Sequence, residues 1–149
     1  MPNFVQLLIP ETDEQGQVIK FYPQRRYKYK RDKKLLKQGT GAFCRFSIDA
    51  EEDAGVYVMT DENDKILYIG QTCNLCQRFN NSSYGSYGFI TPAACYEGGQ
   101  STNCKINHLV LQHFEAGRPV LLYFLPTEEH KRVERELLQY FSTPYNHRG

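Results

Sequence analysis

The apolar positions of the chain fall into short alternating stretches and two longer stretches at helical spacing. Phe4, Val5, Leu7, Leu8 and Ile9 form a run that predicts a strand, ended by Pro10 and an acidic turn around Gly16. Residues 18–30, with Val18, Phe21, Tyr27 and Tyr29, alternate well enough for a strand or hairpin arm. Residues 31–38 fit a short basic helix before the break at Gly39 and Gly41, and the acidic patch Asp49, Glu51, Glu52, Asp53 reads as a surface loop. That loop is the expected boundary between an N-terminal extension, 1–54, and a main domain, 55–149.

The pattern sharpens beyond it. Gly55–Thr60 and Lys65–Ile69 read as two strands around the polar turn Asp61-Glu62-Asn63-Asp64, an antiparallel hairpin. Asn74 suits the cap of a helix reaching Arg78, and NNSSYGSYG at 80–88 reads as a flexible loop. A helix from about Cys104 to Glu115 carries Ile106, Leu109, Val110 and Phe114 at helical spacing, and Gly117 stops it. Val120–Leu125 suits a buried strand between two prolines. Thr127 suits the cap of a last helix with Glu128 and Glu129 in its first turn and Val133, Leu137, Leu138 and Phe141 on its apolar face. The expected architecture is α+β, a small antiparallel three-stranded sheet flanked by helices, with a basic β-rich N-terminal extension.

Composition adds limits. A chain of 149 residues suits one core, and no stretch approaches the roughly 20 apolar residues that would span a bilayer. The start, MPNFVQLLIPETDEQ, lacks the basic region of a secretory signal, so a soluble, cytoplasmic protein without membrane contact is expected. The net charge of +1 conceals an uneven distribution. Lys20 to Lys37 holds nine of the 18 basic residues and one acid, leaving +8 there and −7 elsewhere. Such a stretch, interleaved with Phe21, Tyr22, Tyr27 and Tyr29, suits a polyphosphate partner; its plain alternative is a solvated, self-repelling arm. Cys73-x-x-Cys76 resembles half a zinc site, but Cys95 and Cys104 lack the matching return spacing, so reduced thiols are expected.

One constellation carries chemistry. Gly55-Val56-Tyr57 opens the first strand of the hairpin, and Tyr68-Ile69-Gly70 closes the second after ten intervening residues. Arg78 follows eight positions later on a helix, Glu134 stands on the last helix, and Pro144-Tyr145-Asn146 places an asparagine twelve residues beyond it. Two tyrosines on paired strands can meet on one face, an arginine brings a planar fork suited to phosphate, and a lone carboxylate suits Mg²⁺, which keeps most of its waters. Each residue also has an ordinary reading, as a strand aromatic or a solvated helix charge. Glu134 borders the apolar face of its helix and Glu136 does not, which makes Glu134 the first choice and Glu136 the second.

The ordered set resembles the GIY-YIG nuclease family, most of all its small single-domain restriction endonucleases, over residues 55–146. The resemblance implies a Mg²⁺- or Mn²⁺-dependent DNA endonuclease of restriction or phage-defence type. Glu134 would hold the metal, Arg78 would neutralise charge on the phosphorus, and Tyr57 would align or deprotonate the attacking water. Tyr68 would join the same cluster, with Gly55, Gly70 and Asn146 in support. Some members carry a histidine four residues after the arginine, where Ser82 stands here. As a base at pH 7 a free tyrosine costs about 4 kcal/mol to ionise, a cost the site must reduce for a rate rising from pH 7 to 9.

DNA contacts are expected from Arg25, Arg26, Lys28, Lys30, Arg31, Lys33 and Lys34, and from a loop before the long helix. In that loop Gln100, Ser101 and Asn103 either hold phosphate and base edges or simply cap the helix. Cutting both strands would call for a homodimer or sequential nicking, because one site cuts one strand. The rival readings are a single-strand-specific, repair or mobile-element nuclease and a non-catalytic nucleic-acid-binding module.

Overall fold

The computed structural model describes residues 4–22, 34, 36–82, 85–91, 95–97, 101–141 and 143. Four antiparallel strands form one sheet in the order β1-β4-β2-β3: β1 is Phe4–Leu7, β2 Gly55–Thr60, β3 Ile66–Thr72 and β4 Leu121–Pro126. Three α-helices accompany it: α1 at Leu75–Asn80, α2 at Ser101–Glu115 and α3 at His130–Tyr140.

The α+β class holds, but the sheet has four strands rather than three. The additional strand is the apolar run near the start, which pairs with β4 so that Leu7 lies opposite Leu121. Without it, β4 would present an unpaired apolar edge on the side away from β2. The rest of the stretch before residue 55 is also built into the interior, where Phe43, Cys44, Phe46 and Ile48 are buried.

Strand alternation sorts side chains to two faces. Tyr57, Met59, Leu122 and Phe124 lie on one, packed in a single buried cluster with Leu75 and Phe79 of α1 and Ile106, Leu109 and Val110 of α2. The other face carries α3 against β3 and β2, yet no α3 residue is fully buried. A groove of about 380 Å³ remains there among Val56, Val58, Tyr123, Leu125 and Leu137.

Several boundaries differ from expectation for local reasons. β3 runs on to Thr72 because Gly70, Gln71 and Thr72 pair with Tyr57, Val56 and Gly55. α1 starts after Asn74, whose side chain accepts the Gln77 N–H at 3.0 Å. α2 begins at Ser101, so the residues that suited its cap occupy its first turn. α3 starts at His130, and Thr127 Oγ1 instead accepts the Glu129 N–H at 3.1 Å. Where a basic helix was expected at 31–38, the described residues show a 3-10 turn at Lys37–Thr40. From the hairpin arm at 18–30, Val18 and Phe21 make isolated bridges to Thr12 and Phe43, while 23–33 lie outside the described residues.

The loop at 80–88 departs most. Ser86, Tyr87 and Gly88 are buried, and the N–H groups of Tyr87 and Gly88 donate to the carbonyls of Arg78 and Phe79 at 3.2 Å each. Asn107, buried on α2, donates from Nδ2 to the Tyr87 carbonyl at 2.8 Å. Residues 86–88 of this Gly- and Ser-rich stretch are thus held as a wall of the core.

Candidate active site

The register of β2 and β3 builds the site. Tyr57 lies opposite Gly70 and Met59 opposite Tyr68, so both tyrosines share one face, and their ring centroids stand 6.1 Å apart. Gly70 is glycine because a Cβ there would overlap the ring and hydroxyl of Tyr57. Gly55 has the same cause on the next strand, where a Cβ would strike the Phe124 ring and the Leu125 carbonyl.

Tyr87 completes the cluster. Its hydroxyl lies 2.5 Å from that of Tyr57, and its ring meets those of Tyr57, Tyr68 and Phe79 edge-on at 5.9, 6.3 and 5.0 Å. Arg78, from the last turn of α1, sets its guanidinium 3.9 Å from the centroid of the Tyr87 ring, and its charge acts on the phenols of Tyr57, Tyr68 and Tyr87. A planar cation on an aromatic face keeps its edge N–H donors free for an anion. Glu134 comes from α3 and lies near enough to Tyr68 for its charge to oppose ionisation of that phenol.

Burial dominates the electrostatics. It drives the phenols of Tyr57, Tyr68 and Tyr87 far above the ordinary tyrosine range, and the opposing pull of Arg78 does not offset it. Burial also works against the charge on Arg78, but the hydroxyls of Tyr87 and Tyr57 outweigh it and hold the guanidinium charged. The cost of forming a phenolate therefore rises rather than falls in this fold. In this fold Tyr57 is suited to donate or relay a hydrogen bond, and a tyrosine-driven rise in rate from pH 7 to 9 calls for the bound metal to lower the phenol where Arg78 alone does not.

Among the described residues no group of three or more His, Cys, Asp and Glu side chains converges on one point. The site's donor set is one carboxylate, Glu134, beside an arginine and phenol oxygens. That set fits a hard, water-rich cation such as Mg²⁺ or Mn²⁺ sharing its shell with phosphate, and does not fit an all-protein cage.

Residues 53–146 match the GIY-YIG catalytic domain, well over half of the chain. The protein belongs to the GIY-YIG family. No curated protein and no solved structure matches it significantly. A GIY-YIG domain implies a nuclease, a hydrolase of the endonuclease kind, with DNA as substrate. Among the described residues no helix is long and apolar enough to cross a membrane.

Against this GIY-YIG frame, the structure gathers Tyr57, Tyr68 and Arg78 with Glu134 beside them, over Gly55 and Gly70. Asn146 lies outside the described residues, as do Arg25, Arg26, Lys28, Lys30, Arg31, Lys33 and Gln100. Lys34 is exposed and Ser101 half-buried. Asn103 is 2% exposed in the first turn of α2, so its side chain is packed in the interior of this fold. The cysteines separate into two places: Cys95 and Cys104 are buried together against Phe43, whereas Cys73 is exposed and Cys76 accepts a hydrogen bond from Asn80 on α1.

Sequence reasoning missed Tyr87, Asn107 and His130. Tyr87 was hidden by a Gly/Ser-rich setting, although two Tyr-Gly pairs in nine residues were a usable signal. Asn107 looks like any polar helix residue until its long-range hydrogen bonds are known. His130 stands one turn before Glu134, and its Nδ1 meets Gln71 Oε1 at 2.5 Å, tying the start of α3 to the strand that carries Gly70.

Proposed function

We propose that this GIY-YIG protein is a Mg²⁺- or Mn²⁺-dependent DNA endonuclease acting in restriction or phage defence. The observation that carries the reading is the convergence of three phenols and one guanidinium, Tyr57 and Tyr87 buried and Tyr68 and Arg78 half-buried, with a single carboxylate at their edge. A scissile phosphate placed over this cluster meets Arg78, whose N–H donors offset the charge that develops on phosphorus in the transition state. Tyr57 remains a phenol and orients the attacking water through its hydroxyl, with Tyr87 as the acceptor or donor on its other side. Tyr68 packs edge-on to the Tyr87 ring and closes the cluster on that side. Glu134 would hold the divalent cation, which when bound supplies charge neutralisation at a non-bridging phosphate oxygen.

The restriction or defence role draws support from the way the stretch before residue 55 is packed into the nuclease core. Its +8 segment starts and ends beside this packed part, with Phe21 bridged to Phe43 and the Leu36 N–H donating to the Cys95 carbonyl, and can position DNA there. Double-strand cutting then takes two copies of the site, as a homodimer or by successive nicking. The test is cleavage of supercoiled plasmid and of a labelled single strand with Mg²⁺, Mn²⁺ or EDTA, with Glu134→Ala alongside. Discrete metal-dependent fragments that vanish in the variant support the proposal. Salt-sensitive binding without any cut would instead make the chain a binding module that retains the fold.

A further inference from the structure

A second feature adjoins Arg78. Thr72, Asn74, Gln77, Arg78, Asn81 and Gly85 line a polar cleft of about 320 Å³. These lining residues include no carboxylate and no large apolar side chain, and Arg78 is the one charge among them. Tyr57, Tyr68 and Glu134 do not line it, so a phosphate at the cluster leaves the cleft open to the next unit of the strand. Asn74 uses Oδ1 to accept the Gln77 N–H, which leaves its Nδ2 hydrogens as donors. The Thr72 hydroxyl is engaged with the backbone of Asn74. Gln77 is exposed, and its carboxamide offers a donor and an acceptor in one plane.

We infer that this cleft receives the nucleotide flanking the scissile phosphate and that Gln77 is the side chain that reads it. The inference rests on the nuclease reading for the identity of its ligand. A donor-rich lining free of carboxylates suits a sugar-phosphate unit, and a carboxamide can pair in two places with an adenine edge. Substrate thus runs past Arg78, with the reacting phosphate at the phenol cluster and its neighbour in the cleft.

The test measures affinity of the full chain for a labelled duplex in EDTA, by fluorescence anisotropy, so that binding is read without cleavage. Gln77→Ala is expected to weaken binding about fivefold and Gln77→Glu about fiftyfold, the second by placing a charge against phosphate. Gln139→Glu, the same change at an exposed position of α3, is the control and should stay within about twofold of wild type. Melting temperatures of all variants confirm that each is folded. If Gln77→Glu binds no worse than Gln139→Glu, or wild type does not bind DNA at all, the inference is overturned. Cleavage maps separate the two ways of reading: relaxed fragment patterns with Gln77→Ala mean a base edge, and uniform weakening at all sites means backbone contact. A wild-type chain that binds but cuts with neither metal ends the nuclease reading, while the affinity comparison still decides the cleft.

Discussion

A methyl group on Gly70 would have to occupy the space of the Tyr57 ring and hydroxyl. The ring can escape only by leaving Tyr87, which adds an unmade hydrogen bond to the overpacking. Gly70→Ala is therefore expected to cost about 3 kcal/mol of stability and to lower cleavage at least about a hundredfold. Urea unfolding beside plasmid cleavage checks both, and a variant with full activity would remove the Tyr57–Gly70 contact from the site's construction. Tyr87→Phe separates hydrogen bond from packing: it keeps the ring under Arg78 and removes the partner of the Tyr57 hydroxyl. Stability should fall by only about 1–2 kcal/mol while kcat falls about tenfold or more. The phenols also set a pH signature. Their protons are held above the ordinary range, so between about pH 10 and those higher values the folded state binds more protons than the unfolded one. Stability must then fall as pH rises through that window, by about 1.4 kcal/mol per pH unit for each phenol, and is unaffected by them below it. In a phenolate absorbance titration, three of the 11 tyrosines should stay silent at pH 11 until denaturant is added. Ionisation of all 11 near pH 10 in the folded protein would contradict the burial argument.

At the scale of elements, legibility followed how local the cause was. The β2–β3 hairpin could be read because its strands, polar turn and two tripeptides are contiguous in sequence. α1 and α2 were placed to within a few residues by spacing and capping. β1 was recognised as a strand but not as part of the sheet, since pairing with β4 joins residues more than a hundred positions apart. Tyr87 was lost for the same reason: its place depends on Asn107 and on the backbone of α1, not on its neighbours in NNSSYGSYG. Glu134 was chosen from its position beside the apolar stripe of α3, but what aims it could not be read. α3 buries no side chain fully, and its Arg132 pairs with Glu129 and Glu136 are exposed, so they contribute little. The His130–Gln71 hydrogen bond is then a main restraint on the helix that carries the carboxylate. His130→Ala should lower global stability by about 1 kcal/mol yet weaken Mn²⁺ binding about tenfold. Calorimetric Mn²⁺ titration checks this, and unchanged affinity would show that α3 is held by its packing alone.

At the scale of the whole molecule the charge distribution matters more than its sum. A net charge of +1 suggests weak attraction to a polyanion, but +8 lies within Lys20–Lys37 and −7 elsewhere. Within one Debye length, about 8–10 Å, DNA meets the local charge rather than the total. The affinity should therefore fall with salt as for a strongly basic protein. If about six of the nine basic residues neutralise phosphates, the slope of log K against log salt is about −5. The acidic remainder matters to the orientation of approach, since its net −7 opposes DNA where it is not offset by the basic segment. Replacing Lys28, Lys30, Arg31 and Lys33 together by alanine removes four of those charges and should reduce the slope by about 3 to 4. Activity at low salt should largely survive the replacement, because Arg78, Glu134 and the three phenols lie outside that segment. Anisotropy titrations between about 50 and 200 mM KCl, where ion release dominates binding, give both slopes directly. A wild-type slope near zero would mean that the basic segment does not touch DNA. A steep slope left intact by the four substitutions would place the contact surface elsewhere, with the rim around Arg78 and Gln77 first in line.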